Sequence, residues 1–87
     1  MMKILSKNRT TMVNMDRIEA LTIYKTTIGL IKREQEETPY RILAWSGVSE
    51  EECYALGNYE SMNRCKEIIR DIWKVSDIKH LYEMPEV

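Results

Sequence analysis

The side chains best suited to catalysis in this sequence belong to one histidine and two cysteines. His80 is the only histidine, and its place beside Leu81 and Tyr82 is typical of a structural or solvent-facing side chain. Cys53 and Cys65 would act as nucleophiles only if the protein stabilised their thiolates. Cys65 lies on an apolar helical stripe, where cysteine behaves as a small hydrophobic residue. The sequence therefore predicts a protein that is not an enzyme and has no catalytic residues.

The sequence also lacks the residue spacings that are typical of metal and cofactor sites. The two cysteines and His80 are separated by 12 and 15 positions, unlike the close pairs of structural zinc sites. The run Glu50-Glu51-Glu52 has no glycine between its carboxylates, whereas calcium loops space their ligands. The three glycines of the chain stand alone, which excludes a glycine-rich phosphate loop. We expect neither a metal nor a cofactor.

Basic residues are concentrated in the first third of the chain. Residues 1–33 hold seven lysines and arginines against two acids, a local charge of +5. Small β-sheets bind single strands with a basic surface and an aromatic stacking platform. The candidates are Lys3, Lys7, Arg9, Lys32 and Arg33, with Tyr24 as the platform. Binding of single-stranded nucleic acid is therefore an alternative function. It is not the leading hypothesis, because a net charge of −1 and an isoelectric point near 5.8 argue against it.

Acidic residues follow, since residues 34–63 hold one arginine against seven acids, a local charge of −6. The aromatic residues are all tyrosine or tryptophan, whose polar tips suit half-buried positions and interfaces. The candidate protein contacts are Tyr40, Trp45, Glu50, Glu51 and Glu52, with the acidic stretch Glu34–Glu37 nearby. The leading hypothesis is a non-enzymatic accessory module that binds protein, either a second copy of itself or another chain. The competing interpretation is that Trp45 and Trp73 are simply large core residues.

Strand patterns occupy the chain from residue 2 to residue 59. The expected strands are Met2–Leu5, Thr10–Asn14, Ile18–Tyr24, Ile28–Lys32, Tyr40–Trp45 and Cys53–Tyr59, with a turn at Lys7-Asn8-Arg9. Because Ile18, Leu21 and Ile23 cannot share one face of a regular strand, a bulge is expected near Glu19 and Ala20.

At Ser61 the spacing of the apolar residues changes to that of a helix. One stripe contains Cys65, Ile68, Ile69, Ile72 and Trp73, and Met62 extends it towards the start. Ser61 is the expected N-cap, whose hydroxyl accepts a hydrogen bond from an amide one turn later. The helix is predicted over about 61–74, and the tail 75–87 contains a candidate final strand at 80–84 before Pro85.

Three segments of the chain together carry a resemblance to known proteins. The start runs Met2-Lys3-Ile4-Leu5-Ser6-Lys7-Asn8-Arg9 towards a turn at Asn14 and Asp16 and a strand at Ile18-Glu19. The junction Leu56-Gly57-Asn58-Tyr59-Glu60-Ser61 precedes the helical pattern Cys65-Lys66-Glu67-Ile68-Ile69, and the end reads Tyr82-Glu83-Met84-Pro85. This set resembles small uncharacterised proteins encoded by Gram-positive bacteria and their phages or integrative elements. Those proteins carry a leucine-glycine-x-tyrosine-x-threonine/serine junction and a tyrosine-x-methionine-proline tail.

The chain departs from that pattern in its acidic region 34–52 and in Cys65, where alanine is usual. The resemblance implies a fold and a setting on a phage or mobile element, and it favours a strand at 80–84. It implies no activity.

Together these elements predict an α+β protein in which residues 1–87 form a single domain. Its expected architecture is one antiparallel sheet of five to six strands, strongly curved in one version, followed by one carboxy-terminal amphipathic helix. No apolar run reaches the ~18 residues of a membrane span, and the first residues lack the continuous apolar stretch of a signal peptide. Two cysteines are not a disulfide framework, so the cytoplasm is the expected location.

Overall fold

The computed structural model describes residues 2–25, 38–47 and 52–87. The strands in this part of the chain are β1 (Lys3–Leu5), β2 (Met12–Asn14), β3 (Ala20–Lys25), β4 (Tyr40–Trp45), β5 (Cys53–Tyr59) and β6 (Leu81–Glu83). The helix α1 (Met62–Val75) lies between β5 and β6, and a 3-10 turn (Met15–Arg17) follows β2. The chain therefore has the α+β composition that its sequence predicts, including the final strand.

The strands form two sheets, which corrects the prediction of a single antiparallel sheet. One sheet has the order β2-β1-β6 and the other the order β3-β4-β5. The second sheet is antiparallel, but β1 pairs in parallel with β6, so that Lys3 lies opposite Leu81. The single-sheet prediction failed because a hydrophobic pattern defines the two faces of a strand and not its partner. The helix makes the long connection that returns the chain beside β1.

The boundaries of β4 and β5 are those predicted, whereas β1, β2 and β3 begin one or two residues later than expected. A bulge was expected near Glu19 and Ala20, and the β3–β4 ladder is irregular at this point. Ala20 pairs with Trp45, yet the Glu19 amide donates to the carbonyl of the same Trp45 (2.7 Å) rather than to Ser46, so Glu19 and Ala20 both lie opposite one residue. A register shift that was not expected lies between β4 and β5, where Leu56 is the extra residue. The predicted strand 28–32 lies outside the described residues.

Both sheets contribute to one hydrophobic core. Its buried side chains are Met2, Ile4, Val13 and Met15 from the first sheet and its flanks, Ile42, Ala44, Leu56 and Tyr59 from the second sheet, Cys65, Ile68 and Ile72 from α1, and Met84. Because α1 packs on β3, β4 and β5, the second sheet has one face against the helix.

The helix begins as predicted, since the Ser61 hydroxyl accepts a hydrogen bond from the Arg64 amide (3.1 Å). Its buried stripe is narrower than the sequence predicts. Trp73 is 49 % exposed and Met62 42 % exposed. Successive helical residues are turned by about 100°, so Trp73 points well away from the line of its buried neighbour Ile72.

The loop between β1 and β2 contains the predicted turn and is closed by short polar contacts. The buried Ser6 hydroxyl donates to Asn8 Oδ1 (2.7 Å) and accepts from the Thr11 amide (3.1 Å). Asn8 Oδ1 also accepts from the Thr10 amide (3.1 Å), and Arg9 adopts a left-handed backbone with φ of 64°. This loop holds Lys7 against β5, where the Lys7 amide donates to the Leu56 carbonyl (2.7 Å).

Candidate interaction surface

The face of the second sheet that points away from α1 carries a flat set of mixed side chains, here called the open face. Buried Ile42 and Ala44 point towards the core, so the alternating residues of β4 point outwards. The strand register places these outward residues in three rows. The rows are Tyr24, Arg41 and Asn58; Thr22, Leu43 and Ala55; and Ala20, Trp45 and Cys53.

Two hydrogen bonds fix side chains on the open face. The Trp45 indole Nε1 donates to Thr22 Oγ1 (2.7 Å), which holds the ring over the neighbouring strand. The Arg41 Nε donates to Asn58 Oδ1 (2.9 Å), which orients the guanidinium across β5. Tyr24, Thr22 and Ala55 are exposed, and the remaining members of the face are half-buried. The open face is therefore both accessible and ordered.

A groove of about 710 Å³ lies where the β1–β2 loop meets β5, here called the basic groove. Its lining includes Lys7, Asn8, Arg41, Ala55, Gly57 and Asn58. Arg41 and Ala55 belong to the open face as well, so the groove and the face are continuous. Within residues 2–25, 38–47 and 52–87, no carboxylate forms an ion pair with Lys7 or Arg41.

The Lys7 ammonium is held at the rim of this groove. Its Nζ donates to the Asn58 carbonyl (2.6 Å) and lies 4.7 Å from the centroid of the Tyr59 ring. Burial lowers the pKa of Lys7 from its ordinary value, because the charged form is partly removed from water. The side chain is a positioned cation rather than a freely rotating surface lysine.

Gly57 allows the close approach that forms the groove. A Cβ at this position would lie 2.8 Å from the Lys7 Cβ and 3.1 Å from the Tyr59 hydroxyl oxygen. A side chain on residue 57 would therefore push the β1–β2 loop away from β5.

The predicted protein contacts are dispersed by the fold. Trp45 lies on the open face, whereas Tyr40 points to the helix side of the same strand and packs half-buried against the core. Glu52 is exposed, and its carbonyl accepts from the Ser46 amide (2.8 Å). Glu50 and Glu51, like the stretch Glu34–Glu37, lie outside the described residues.

The predicted nucleic-acid contacts are also dispersed. Tyr24 lies on the open face, and Lys7 in the basic groove. Lys3 lines a second groove of about 430 Å³ beside Tyr54, and Arg9 is exposed in the β1–β2 loop. Lys32 and Arg33 lie outside the described residues.

Several members of the surface, Arg41 and Leu43 among them, were not identified as candidates from the sequence. The alternation of side chains within β4 would have identified them. Ile42 and Ala44 are the residues suited to the core face, so the alternating positions 41, 43 and 45 belong to the opposite face. The partners of Arg41 come from β3 and β5, and strand register is needed to find them.

The groups considered for catalysis occupy separate places. Cys65 is buried under the second sheet, and burial raises the pKa of its thiol. His80 is exposed ahead of β6. Among the residues that the structure describes, no three histidine, cysteine or acidic side chains come together as a metal site. The surface built by the open face and the basic groove is suited to binding through apolar contact and charge.

Comparison with models of protein families, with curated proteins and with solved structures found no match for this chain. The described helices include none with the length and apolar character needed to cross a membrane.

Proposed function

We propose that this chain is a non-enzymatic accessory protein that binds another protein through the open face. One observation supports the proposal more than the others. The second sheet has one face covered by α1 and one face on which Tyr24 is exposed and Leu43 and Trp45 are only half-buried. A second copy of the chain and a different protein are both possible occupants. The bacterial or phage setting implied by the resemblance and the cytoplasmic location stay predictions.

The residue types on the open face favour protein as the ligand. Tryptophan, tyrosine and arginine are the residues most often found to dominate binding energy at protein interfaces. Tyr24 and Arg41 lie in one row of the open face, Trp45 lies two rows away, and Leu43 lies in the row between them. Ala55 and Thr22 keep the centre shallow, which allows an extended chain to approach the sheet.

Pre-organisation also favours binding here. The Trp45 ring and the Arg41 guanidinium are each held by a side-chain hydrogen bond, so binding freezes fewer rotamers. The three strands beneath them are backed by a packed helix, and the surface has little freedom to rearrange.

Binding of single-stranded nucleic acid is the second candidate, favoured by the cross-strand neighbours Tyr24 and Arg41. Strong binding of this kind needs a track of cations along the phosphates. Lys3 lies in the second groove, away from the open face, and the net charge of the chain is −1. Protein is therefore the preferred partner class.

The test is affinity capture from a lysate of the source organism, with and without nuclease, followed by reconstitution with the purified partner. We expect a stoichiometric protein complex that survives nuclease. Trp45→Ala should weaken the reconstituted complex at least about tenfold, as loss of a central interface tryptophan does.

Trp73→Ala is the control, because Trp73 is an exposed tryptophan on the helix and lies outside the open face. Tyr24→Ala provides a second variant in case Trp45→Ala alters folding, which circular dichroism would reveal. Equal binding by wild type, Trp45→Ala and Tyr24→Ala would overturn the proposal. Recovery that disappears with nuclease would favour the nucleic-acid alternative, and sedimentation of the purified chain separates self-association from binding a different protein.

A further inference from the structure

The basic groove extends the open face at the edge of β5. Arg41 is shared by both, since its backbone lies in the middle strand and its guanidinium reaches Asn58 on the edge strand. Ala55 forms the shallow passage between the groove and Leu43. A ligand chain that covers the open face can therefore place one side chain in the groove without bending.

The groove holds two cations whose charge is not balanced by a described carboxylate. Lys7 uses one donor on the Asn58 carbonyl and faces the Tyr59 ring, while Arg41 uses its Nε on Asn58 Oδ1. The ammonium keeps further protons, and the guanidinium keeps its two terminal nitrogens for a fork-shaped acceptor. A carboxylate would match the positive charge of the groove and the fork of the guanidinium.

We infer that the basic groove binds the carboxylate of an acidic side chain on an extended segment of the protein partner. This inference rests on the proposed function and names the chemistry of the partner. The segment has an acidic residue followed or preceded, at every second position, by apolar residues.

The spacing comes from the open face itself. Arg41, Leu43 and Trp45 alternate along β4, so neighbouring members are about 7 Å apart. An extended peptide repeats its side chains on one face at the same distance. Its acidic residue would contact Arg41 and Lys7, and its apolar residues would contact Leu43 and Trp45.

A single carboxylate fits this arrangement better than a nucleic acid does. The groove supplies two positioned cations, and the next positions along β4 are apolar or aromatic. A phosphate backbone would meet Leu43 and Trp45 where its next charges require cations.

The test is selection of peptides from a random display library on the immobilised full chain. We expect the selected sequences to carry Asp or Glu two positions from a large apolar residue. Binding of a selected peptide should weaken about ten- to a hundredfold with Arg41→Gln, because a charge-assisted hydrogen bond is lost. Replacement of its acidic residue by the matching amide should have a similar effect, and added salt should weaken wild-type binding.

Arg70→Gln is the matched control, since it removes one positive charge from the exposed side of α1. Lys7→Met is the second groove variant, which keeps the aliphatic stem against Gly57 and removes the charge together with the hydrogen bond to the Asn58 carbonyl. Thermal unfolding of each variant verifies that it is folded.

The results of this selection distinguish failure of the groove inference from failure of the proposed function. Apolar peptides without an acidic preference, weakened by Trp45→Ala but not by Arg41→Gln, would overturn the groove inference and leave the proposed function standing. Peptides insensitive to both substitutions would overturn both. Tighter binding of a single-stranded oligonucleotide than of any selected peptide would also overturn the inference. Inorganic phosphate is titrated alone as a further control, and tighter binding of phosphate than of the selected peptides would overturn it as well.

Discussion

At the scale of single residues, Tyr59 connects the core, the β1–β2 loop and the segment after β6. It is buried in the core, its ring faces the Lys7 ammonium, and its hydroxyl donates to the Pro85 carbonyl (2.8 Å). One phenol therefore links the edge of the basic groove to the segment after β6.

Tyr59→Phe should lower the free energy of unfolding by about 0.5–1.5 kcal/mol, because the Pro85 carbonyl loses its donor while the ring still packs. Urea denaturation measures this difference. Tyr54→Phe is the control, because Tyr54 is exposed and its change should be within about 0.5 kcal/mol. Equal effects of the two substitutions would show that the Pro85 hydrogen bond contributes nothing.

Tyr59 also makes the stability sensitive to alkaline pH. Burial, followed by the nearby Tyr82, raises the pKa of Tyr59 above the ordinary 10.0, while Arg64 lowers it. The folded protein thus holds this proton more tightly than the unfolded chain does. The resulting stabilisation is complete below pH 10.0 and is lost as the pH rises above it. The stability of Tyr59→Phe should therefore fall less steeply above pH 10 than that of the wild type, and a wild-type curve with the same slope would contradict the assignment.

Gly57→Ala should destabilise the protein by about 1–3 kcal/mol, because the new Cβ would crowd the Lys7 Cβ at 2.8 Å. Gly47→Ala is a matched control. The three atoms nearest to its Cβ would all belong to the Glu52 carboxylate, which is the flexible end of an exposed side chain. Thermal unfolding of the two variants should separate them, and similar melting temperatures would show that the β1–β2 loop moves aside at little cost.

At the scale of elements, α1 packs on the second sheet through a narrow stripe of buried side chains. Ile72→Ala should cost about 2–5 kcal/mol, because it leaves a cavity under the second sheet. Trp73→Ala should cost much less, because half of that side chain is exposed although its sequence position suggests the core. Chemical denaturation of the two adjacent variants is the measurement, and a larger loss for Trp73→Ala would show that the stripe is rotated from its observed position.

The same helix illustrates what the sequence predicts well. Its N-cap and its principal buried residues follow from hydrophobic spacing and capping chemistry, which are local. The limits of β4 and β5 follow from alternation for the same reason. The parallel partner of β1 could not be predicted, because it depends on which strand the chain reaches after α1.

The candidate site was predicted only in part for a related reason. Trp45 was predicted as a protein contact, whereas Tyr24 was predicted as a stacking platform for nucleic acid and Lys7 as one of its basic contacts. Their common surface depends on register between strands and on a loop that packs against β5. The contact between Lys7 and Tyr59 joins residues far apart in sequence and has no local signal.

At the scale of the whole molecule, the two sheets share one core and should unfold together. Both tryptophans lie in the second sheet and α1, so their fluorescence reports on that half alone. Ile4→Ala alters the first sheet, yet we expect it to lower the fluorescence-detected denaturation midpoint about as much as Ile42→Ala does. A normal midpoint for Ile4→Ala would show that the sheets unfold separately.

The parallel pairing of β1 with β6 also determines the order in which the chain can fold during synthesis. The ribosome releases β1 and β2 first, but the edge of β1 has no partner until Leu81–Glu83 has emerged. Pairing between strands that are far apart in sequence is slow, and a strand edge that is still unpaired is prone to aggregate. A nascent chain stalled before β6 should therefore be a substrate for chaperones, and the synthesis of β6 determines when β1 becomes native.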